Sequence, residues 1–399
     1  MRPIRCIHVI TRLILGGAQE NTLLTVEGLD RLGGYRTTLV SGPAVGPEGE
    51  LEARARRNGV DLLLMPELVR EVSVRKDWAA YRALTDYFRR EQPDIVHTHS
   101  SKAGILGRLA ARRAGVPVIL HTVHGPSFHP HESPLRNALY RRLERWASRD
   151  NARLICVADA MTDQYVAAGV APRGKCITIY SGMEVAPFLR ESDAGARVRR
   201  EFGIPEDAMV IGKVARLFDL KGHDDLLTAF AGLAGRFPQA RLLFVGDGLL
   251  RGALDARAQS LGLRERITFA GLVPPERVPE MIRAMDLLVH ASLREGLARV
   301  PPQALLSGCP AVSYDVDGAR EVIRHGETGW LVPARDVGRL GAAMAEALAD
   351  LPRARRLALR GRELFADQFR AETMVRRIAE VYREELSKAP LREGRGPLR

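Results

Sequence analysis

Short apolar runs rich in β-branched residues alternate with helically spaced stretches along nearly the whole of this chain. In the first half the runs are CIHVIT, YRTTLVSG, DLLLMP, DIVHTHS, VPVILHTVHG, RLICVA and KCITIYSG. In the second they are MVIGKVARL, ARLLFVGDG, RITFAGL, DLLVHAS, PAVSYDV and TGWLVPA. Between them apolar residues fall at helical spacing, as at Tyr81, Leu84, Tyr87 and Phe88. Such alternation predicts an α/β protein made of βαβ units with parallel sheets. A length of 399 residues exceeds one ordinary core and predicts two domains. The polar stretch 183–196 divides the halves, so domains are expected over 1–183 and 197–370. A helix over 371–388 is expected to cross back to the first domain, and the basic tail 389–399 to be flexible.

The net charge of +12 needs an explanation. Arginines lie along nearly every predicted helix, which general arginine enrichment would explain. Arg112, Arg113 and the run 140–146, where Arg alternates with Tyr, Leu and Trp, point instead to a helix lying on an anionic membrane surface. No nucleic-acid motif accompanies the charge, so no nucleic-acid partner is expected. No apolar run reaches the ~18–20 residues that cross a bilayer. The start MRPIRCIHVIT lacks a small-residue cleavage site and reads as a first strand. Cys6, Cys156, Cys176 and Cys309 form no CxxC pair and are expected to be buried thiols. These features together predict a cytoplasmic protein, peripheral on the inner membrane face.

Polar residues gather where strand-like runs end. In the first half, Gly16 and Gly17 separate a strand from a helix and could let backbone N–H groups approach an anion, or simply make the turn. HTHSSKAG places His97 and His99 on one face of a strand end, with Lys102 just beyond. Two histidines without a suitably spaced third ligand do not predict a metal site. His124 follows an apolar strand and precedes a polar loop, a place from which it could donate to a sugar hydroxyl or stabilise developing charge. Phe128 on that loop is either an acceptor contact or a loop anchor.

In the second half, residues 214–307 hold VARLFDLKGH, FVGDG and SLREGLARVPPQALLSG, each closing a strand-like run and opening a helix-like one. Loops leaving the carboxyl ends of parallel strands converge on one crevice. Arg216 and Lys221 are cations suited to a diphosphate. Glu295 and Gln303 suit sugar hydroxyls. The set suggests a nucleotide-sugar site.

ARLFDLKG, FVGDG, SLREGLARVPPQALLSGCPAV and GWLVPARD, in that order, resemble the donor domain of the family 4 retaining glycosyltransferases, and HTHSSKAGILGRLAARRAGVPVILHTVHG resembles the first domain of that family's bacterial polysaccharide and capsule branch. The resemblance covers nearly the whole chain and implies the GT-B fold, two Rossmann-like domains facing across a cleft. It implies that Arg216 and Lys221 grip the donor diphosphate, Glu295 meets the donor sugar, and Gly16 and Gly17 close on the phosphate from the other domain. Gly246 and Asp247 would form the turn beneath the base, with Leu272 and Val273 flanking it. His99, Lys102, His124 and Phe128 would meet the acceptor, with His124 also counted as catalytic.

Two departures stand out. Gln303 occupies the place of the family's second glutamate, where an amide must donate as well as accept. The usual GFG after the first glutamate is Gly296, Leu297 and Ala298 here, followed by Arg299, with N–H groups at 297–300 expected to receive phosphate oxygens at a helix start. The expected reaction moves a sugar, with retention, from a nucleotide-diphosphate donor (a UDP-sugar favoured) to a hydroxyl of a lipid-linked or cell-envelope glycan. No metal or other cofactor is expected. The alternatives are a sugar-nucleotide epimerase and a non-catalytic binding protein whose site has decayed at Gln303.

Overall fold

A computed structural model describes residues 2–44, 49–149 and 151–389, and the tail expected to be flexible lies almost wholly outside these. The chain divides into two compact units, 1–183 with 370–399, and 184–369. The first unit holds seven strands: β1 Ile4–Ile10, β2 Tyr35–Ser41, β3 Leu62–Leu64, β4 Ile95–His99, β5 Val118–Val123, β6 Arg153–Cys156 and β7 Cys176–Thr178. Their order is β3-β2-β1-β4-β5-β6-β7, and every pairing is parallel. Parallel neighbours require crossovers, and the helices between the strands supply them.

One face of this sheet is covered by the helix Ala371–Lys388, whose Met374, Val375, Ile378 and Tyr382 share a core with Ile4, Ile95, Val118 and Leu120. The opposite face packs Leu84 and Phe88 of the helix Val74–Glu91, and Ala103 and Ala110 of Ser101–Arg113, against Ile7, Val9 and Val96. The strands are apolar on both faces because both are covered.

The second unit has six strands: β8 Met209–Val214, β9 Ala240–Val245, β10 Ile267–Phe269, β11 Leu287–His290, β12 Ala311–Tyr314 and β13 Trp330–Val332. They run β10-β9-β8-β11-β12-β13, again all parallel. The order reverses between β8 and β11, so loops leaving these two strands diverge and open a crevice. The stretch 184–196, expected as a linker, belongs to this unit and carries the short helix Ala186–Leu189. Arg283 ties it down by donating to the carbonyls of Pro187 and Phe188 at 2.6 and 3.2 Å.

Candidate functional site

The loop 215–222 leaves β8 and enters the helix His223–Leu233. Gly222 sits at φ 66°, and a Cβ there would lie 1.8 Å from the Ala291 carbonyl oxygen, so no other residue fits. Gly246, at φ 133°, would bring a Cβ within 2.1 Å of the Ala215 oxygen. The FVGDG turn therefore seats directly against this loop, and the Leu217 N–H donates to the Asp247 carbonyl at 2.9 Å. His223 Nε2–H donates to the Arg216 carbonyl at 2.9 Å, while burial holds the ring neutral with its pKa down at about 3.

On this loop the Lys221 ammonium meets Glu295 Oε1 at 2.6 Å. The two arrive from the carboxyl ends of β8 and β11, and backbone bonds lock them together. Leu293 N–H donates to the Leu220 carbonyl at 2.8 Å, Glu295 N–H to Asp317 Oδ2 at 2.8 Å, and Gly318 N–H to the Gly296 carbonyl at 3.1 Å. Leu220 and Asp317 have φ of 63° and 52°, a left-handed region that non-glycine residues seldom occupy. Such residues cost about 1–3 kcal/mol each and persist where surrounding structure over-determines them. Burial pushes the Glu295 carboxyl up, but Lys221 and then His290 pull it further down, leaving it below its ordinary value and ionised.

Arg216 is exposed, its guanidinium 5.3 Å from the Phe218 ring centre. Asp247 is exposed, and its carboxylate accepts from the Gly248 N–H at 2.7 Å. Leu272 is exposed and Val273 half-buried, next to Gly271, whose carbonyl accepts from Gly246 N–H at 2.9 Å. Gln303 is half-buried on Val300–Leu306. This helix has seven residues and Arg299 as its N-cap; Pro301 and Pro302 carry no N–H, so the donors at its start are those of residues 297–300.

Lys213 escaped the sequence reading. It lies on β8, is 1 % exposed, and its Nζ has no hydrogen-bond partner among the described residues. Burial, then the Lys221 charge, lowers its pKa to about 7, against the opposite pull of Glu295 and Asp225. A buried amine without a counter-charge is unfavourable unless an anion completes its surroundings. The available signal was a lysine inside the apolar run MVIGKV. His290, on β11, is a second missed neighbour, its Nε2 3.7 Å from Glu295 Oε1 and its pKa held down at about 3 by burial.

In the first unit, Gly17 opens the helix Gly17–Leu32 with Gly16 as its N-cap. Gly16 is extended, with φ 176°, so its turn does not demand glycine. The acceptor expectations change more. His99 is fully buried and out of reach of any ligand. The Lys102 ammonium is taken by Asp77 and the Glu71 carbonyl, where it braces two helices. Phe128 is buried, with its ring 5.4 Å from Tyr165, which makes it the loop anchor.

His124 remains half-buried at the end of β5, and its Nε2 lies 3.2 Å from His99 Nδ1. That contact ends a buried chain. His99 Nε2 meets His8 Nδ1 at 3.0 Å, and His8 Nε2 meets the Tyr382 hydroxyl at 3.3 Å. Tyr382 meets His97 Nδ1 at 2.6 Å, and His97 Nε2 meets Thr122 Oγ1 at 2.7 Å. Burial holds all four rings neutral: His8 and His124 fall to about 3, and His97 and His99 lie well below their ordinary value. A neutral imidazole carries one N–H and each link needs one donor, so the His8–His99–His124 arm has two polarities. With Tyr382 donating to His97, His124 keeps its proton on Nε2 and has a bare Nδ1. With Tyr382 donating to His8, His124 carries the proton on Nδ1. The ligand atoms of His8, His97 and His99 lie within 4.8 Å of one another, so His8 is the third imidazole the spacing argument did not find. Every nitrogen of the three is engaged in the chain, which a cation would have to break.

Comparison with known proteins identifies the family. Residues 16–182 match the family described as Glycosyl transferase 4-like domain, and residues 196–364 match Glycosyl transferases group 1. A D-inositol 3-phosphate glycosyltransferase of Acidothermus cellulolyticus is 31 % identical over 74 % of this chain and 68 % of its own. An Escherichia coli UDP-Gal:alpha-D-GlcNAc-diphosphoundecaprenol alpha-1,3-galactosyltransferase is 29 % identical over 70 % of this chain and 73 % of its own. In fold, Anabaena Alr3699/HepE, solved in complex with UDP and glucose, superposes with a TM-score of 0.82 at 20 % identity, covering 96 % of this chain and all of that one. Two family matches in sequence order, on two doubly wound parallel sheets, make this chain a family 4 glycosyltransferase with the GT-B fold.

Proposed function

We propose that the protein transfers a hexose, with retention, from a UDP-sugar to a hydroxyl of a lipid-linked glycan, working at the cytoplasmic face of a membrane in cell-envelope assembly. The observation that carries the reading is the Lys221–Glu295 pair at 2.6 Å where the strand order reverses. A sugar diphosphate bound there presents its phosphates to cations and its hydroxyls to a carboxylate. Lys221, with Arg216 on the same loop and Lys213 beneath, stabilises the negative charge that develops on the leaving UDP. Protein cations rather than a metal ion meet that charge. The departing phosphate accepts the acceptor's proton as the new glycosidic bond forms on the same face, so no strong protein base is required. His124 is assigned to hydrogen-bond a reacting sugar. Support for the donor and acceptor classes comes from the relatives: the Anabaena neighbour is solved with UDP and glucose, and the E. coli relative is named for UDP-Gal and a diphosphoundecaprenol-linked sugar.

The test begins with thermal shifts against UDP, GDP, ADP and their sugars, because a ligand of the folded state raises its melting temperature. UDP should give the largest shift, and transfer to a lipid-diphosphate-linked sugar should persist in EDTA with retained anomeric configuration by NMR. A larger shift with another nucleotide, an inverted product, or loss of transfer in EDTA would each overturn the corresponding part.

A further inference from the structure

The helix Pro134–Ala147 presents an unusual outer face. Leu135, Leu139, Arg142 and Trp146 recur at steps of four, three and four residues, which is one helical stripe, and all four are exposed. A stripe that covered a core would be buried; here Leu135 is 84 % exposed. Across from it, Val72 and Val74, beside and at the start of Val74–Glu91, are also exposed, and Trp78 is 60 % exposed. Six of the eleven large apolar residues exposed among the described residues therefore lie in these two segments. Trp78, Tyr81, Leu106, Leu109 and Trp146 line an open groove of about 910 Å³.

Arginines dominate the charges around this groove. Arg112 and Arg113 line it, and Arg136, Arg141, Arg142 and Arg145 are exposed on the adjoining helix. The one carboxylate of that helix, Glu144, points inward and meets Arg108 at 2.7 Å, with both side chains 1 % exposed. The groove's own carboxylate, Asp77, is paired with Lys102. Glu144 and Asp77 are thus already paired; Arg136 lies 3.6 Å from Glu132 and Arg145 donates to the Gly169 carbonyl at 2.7 Å, while Arg112, Arg113 and Arg142 are exposed. Exposed tryptophans beside arginines, whose stems can lie along apolar surface while their heads stay wet, match the boundary between lipid headgroups and acyl chains.

We infer that the groove between the Val74–Glu91, Ser101–Arg113 and Pro134–Ala147 helices is a docking surface for an anionic phospholipid bilayer, with Trp78, Leu139 and Trp146 entering the interface and Arg112, Arg113 and Arg142 meeting the headgroups. The inference deepens the membrane-facing part of the proposed function and names the surface responsible. Charge complementarity selects the partner: a neutral apolar ligand would leave the arginines unused, and a purely acidic protein would leave the tryptophans uncovered.

The experiment is sedimentation of the full chain with vesicles of phosphatidylcholine alone or with about a third phosphatidylglycerol. Binding should be at least about tenfold tighter to the anionic vesicles and fall as salt screens the headgroups. Brominated acyl chains should quench Trp78 and Trp146, leaving the buried Trp330 bright. Trp78→Ser with Leu139→Ser, and separately Arg112→Gln with Arg113→Gln, should each weaken vesicle binding about tenfold while keeping the UDP-induced thermal shift. Equal binding to both vesicle types, unchanged binding by both double variants, or a dimer in solution that Trp78→Ser dissolves would overturn the inference. Vesicle binding without any sugar transfer would overturn the proposed function and leave this surface standing. Transfer to lipid-linked acceptor with no vesicle binding would do the reverse.

Discussion

The site in the second unit and the histidine chain in the first are both polar clusters at the carboxyl ends of parallel strands, yet they are built on opposite plans. The second unit places charged groups on loops: Lys221 and Glu295 pair at 2.6 Å, and Arg216 is exposed on the same loop as Lys221. The first unit buries neutral groups within β1, β4 and the Ala371–Lys388 helix, leaving only His124 half-exposed. A loop-borne ion pair can open for a ligand because its groups keep other partners in water. A buried neutral chain cannot lose a link without leaving an unsatisfied nitrogen, so it is suited to holding one ring in one state.

The largest expected effect tests the ionic plan. Lys221→Ala should lower kcat on the order of 10²- to 10³-fold, the usual result of deleting a group aimed at developing charge, with an unchanged far-UV spectrum. Near-normal turnover would remove the ionic site from the comparison.

Lys213→Met comes next and asks whether the missed amine is part of that site. Affinity for UDP should fall about 10- to 100-fold, as expected for one charge-assisted contact of about 1.5–3 kcal/mol. The ligand-free protein should become more stable, since a buried amine without a partner is removed. The pH dependence gives an independent reading. The folded pKa of Lys213 is about 7, below its ordinary 10.5. Between those values the unfolded chain binds more protons than the folded one, so ligand-free stability contributed by this group rises with pH across that window. Denaturant titrations at pH 7 and pH 9 should show that slope in the native protein and its loss in the variant.

Tyr382→Phe tests the buried plan. It removes the one hydroxyl joining His8 to His97 and should destabilise the first unit by about 1–3 kcal/mol. It also frees His124 from a fixed polarity, so the nitrogen shifts of His124 should change and kcat should fall several-fold with little change in donor KM. An unaltered His124 signal would show that the chain does not reach it.

Gln303→Glu should have the smallest consequence, within a few-fold in donor KM, since either side chain can hold ribose hydroxyls. Gln303→Ala with unchanged donor affinity would show that residue 303 makes no such contact.

The difference between the two plans also explains what could be read in advance. Thirteen apolar runs foretell the thirteen strands of the described residues because each is short and all but DLLLMP carry β-branched residues. Arg216, Lys221, Glu295 and Gln303 could be named as candidates because loop motifs keep their order along the chain, and the structure brings Lys221 and Glu295 together. Lys102 misled because a cation after a strand end looks alike whether it faces a ligand or, as here, Asp77. Phe128 misled because sequence does not state which aromatic of a polar loop turns inward.

Local pattern thus determined the α/β class, the parallel sheets and the candidate donor-binding loops, since helical and strand periodicities and strand-end motifs act over a few residues. Tertiary structure alone decided that His8 and Tyr382, 374 residues apart, would join one hydrogen-bonded chain, and that the Lys213 amine would be buried with no hydrogen-bond partner among the described residues. It also decided that Trp78 and Trp146 would line one groove. Burial and contact across distant segments set those outcomes, because desolvation and neighbouring charges act through space and not along the chain.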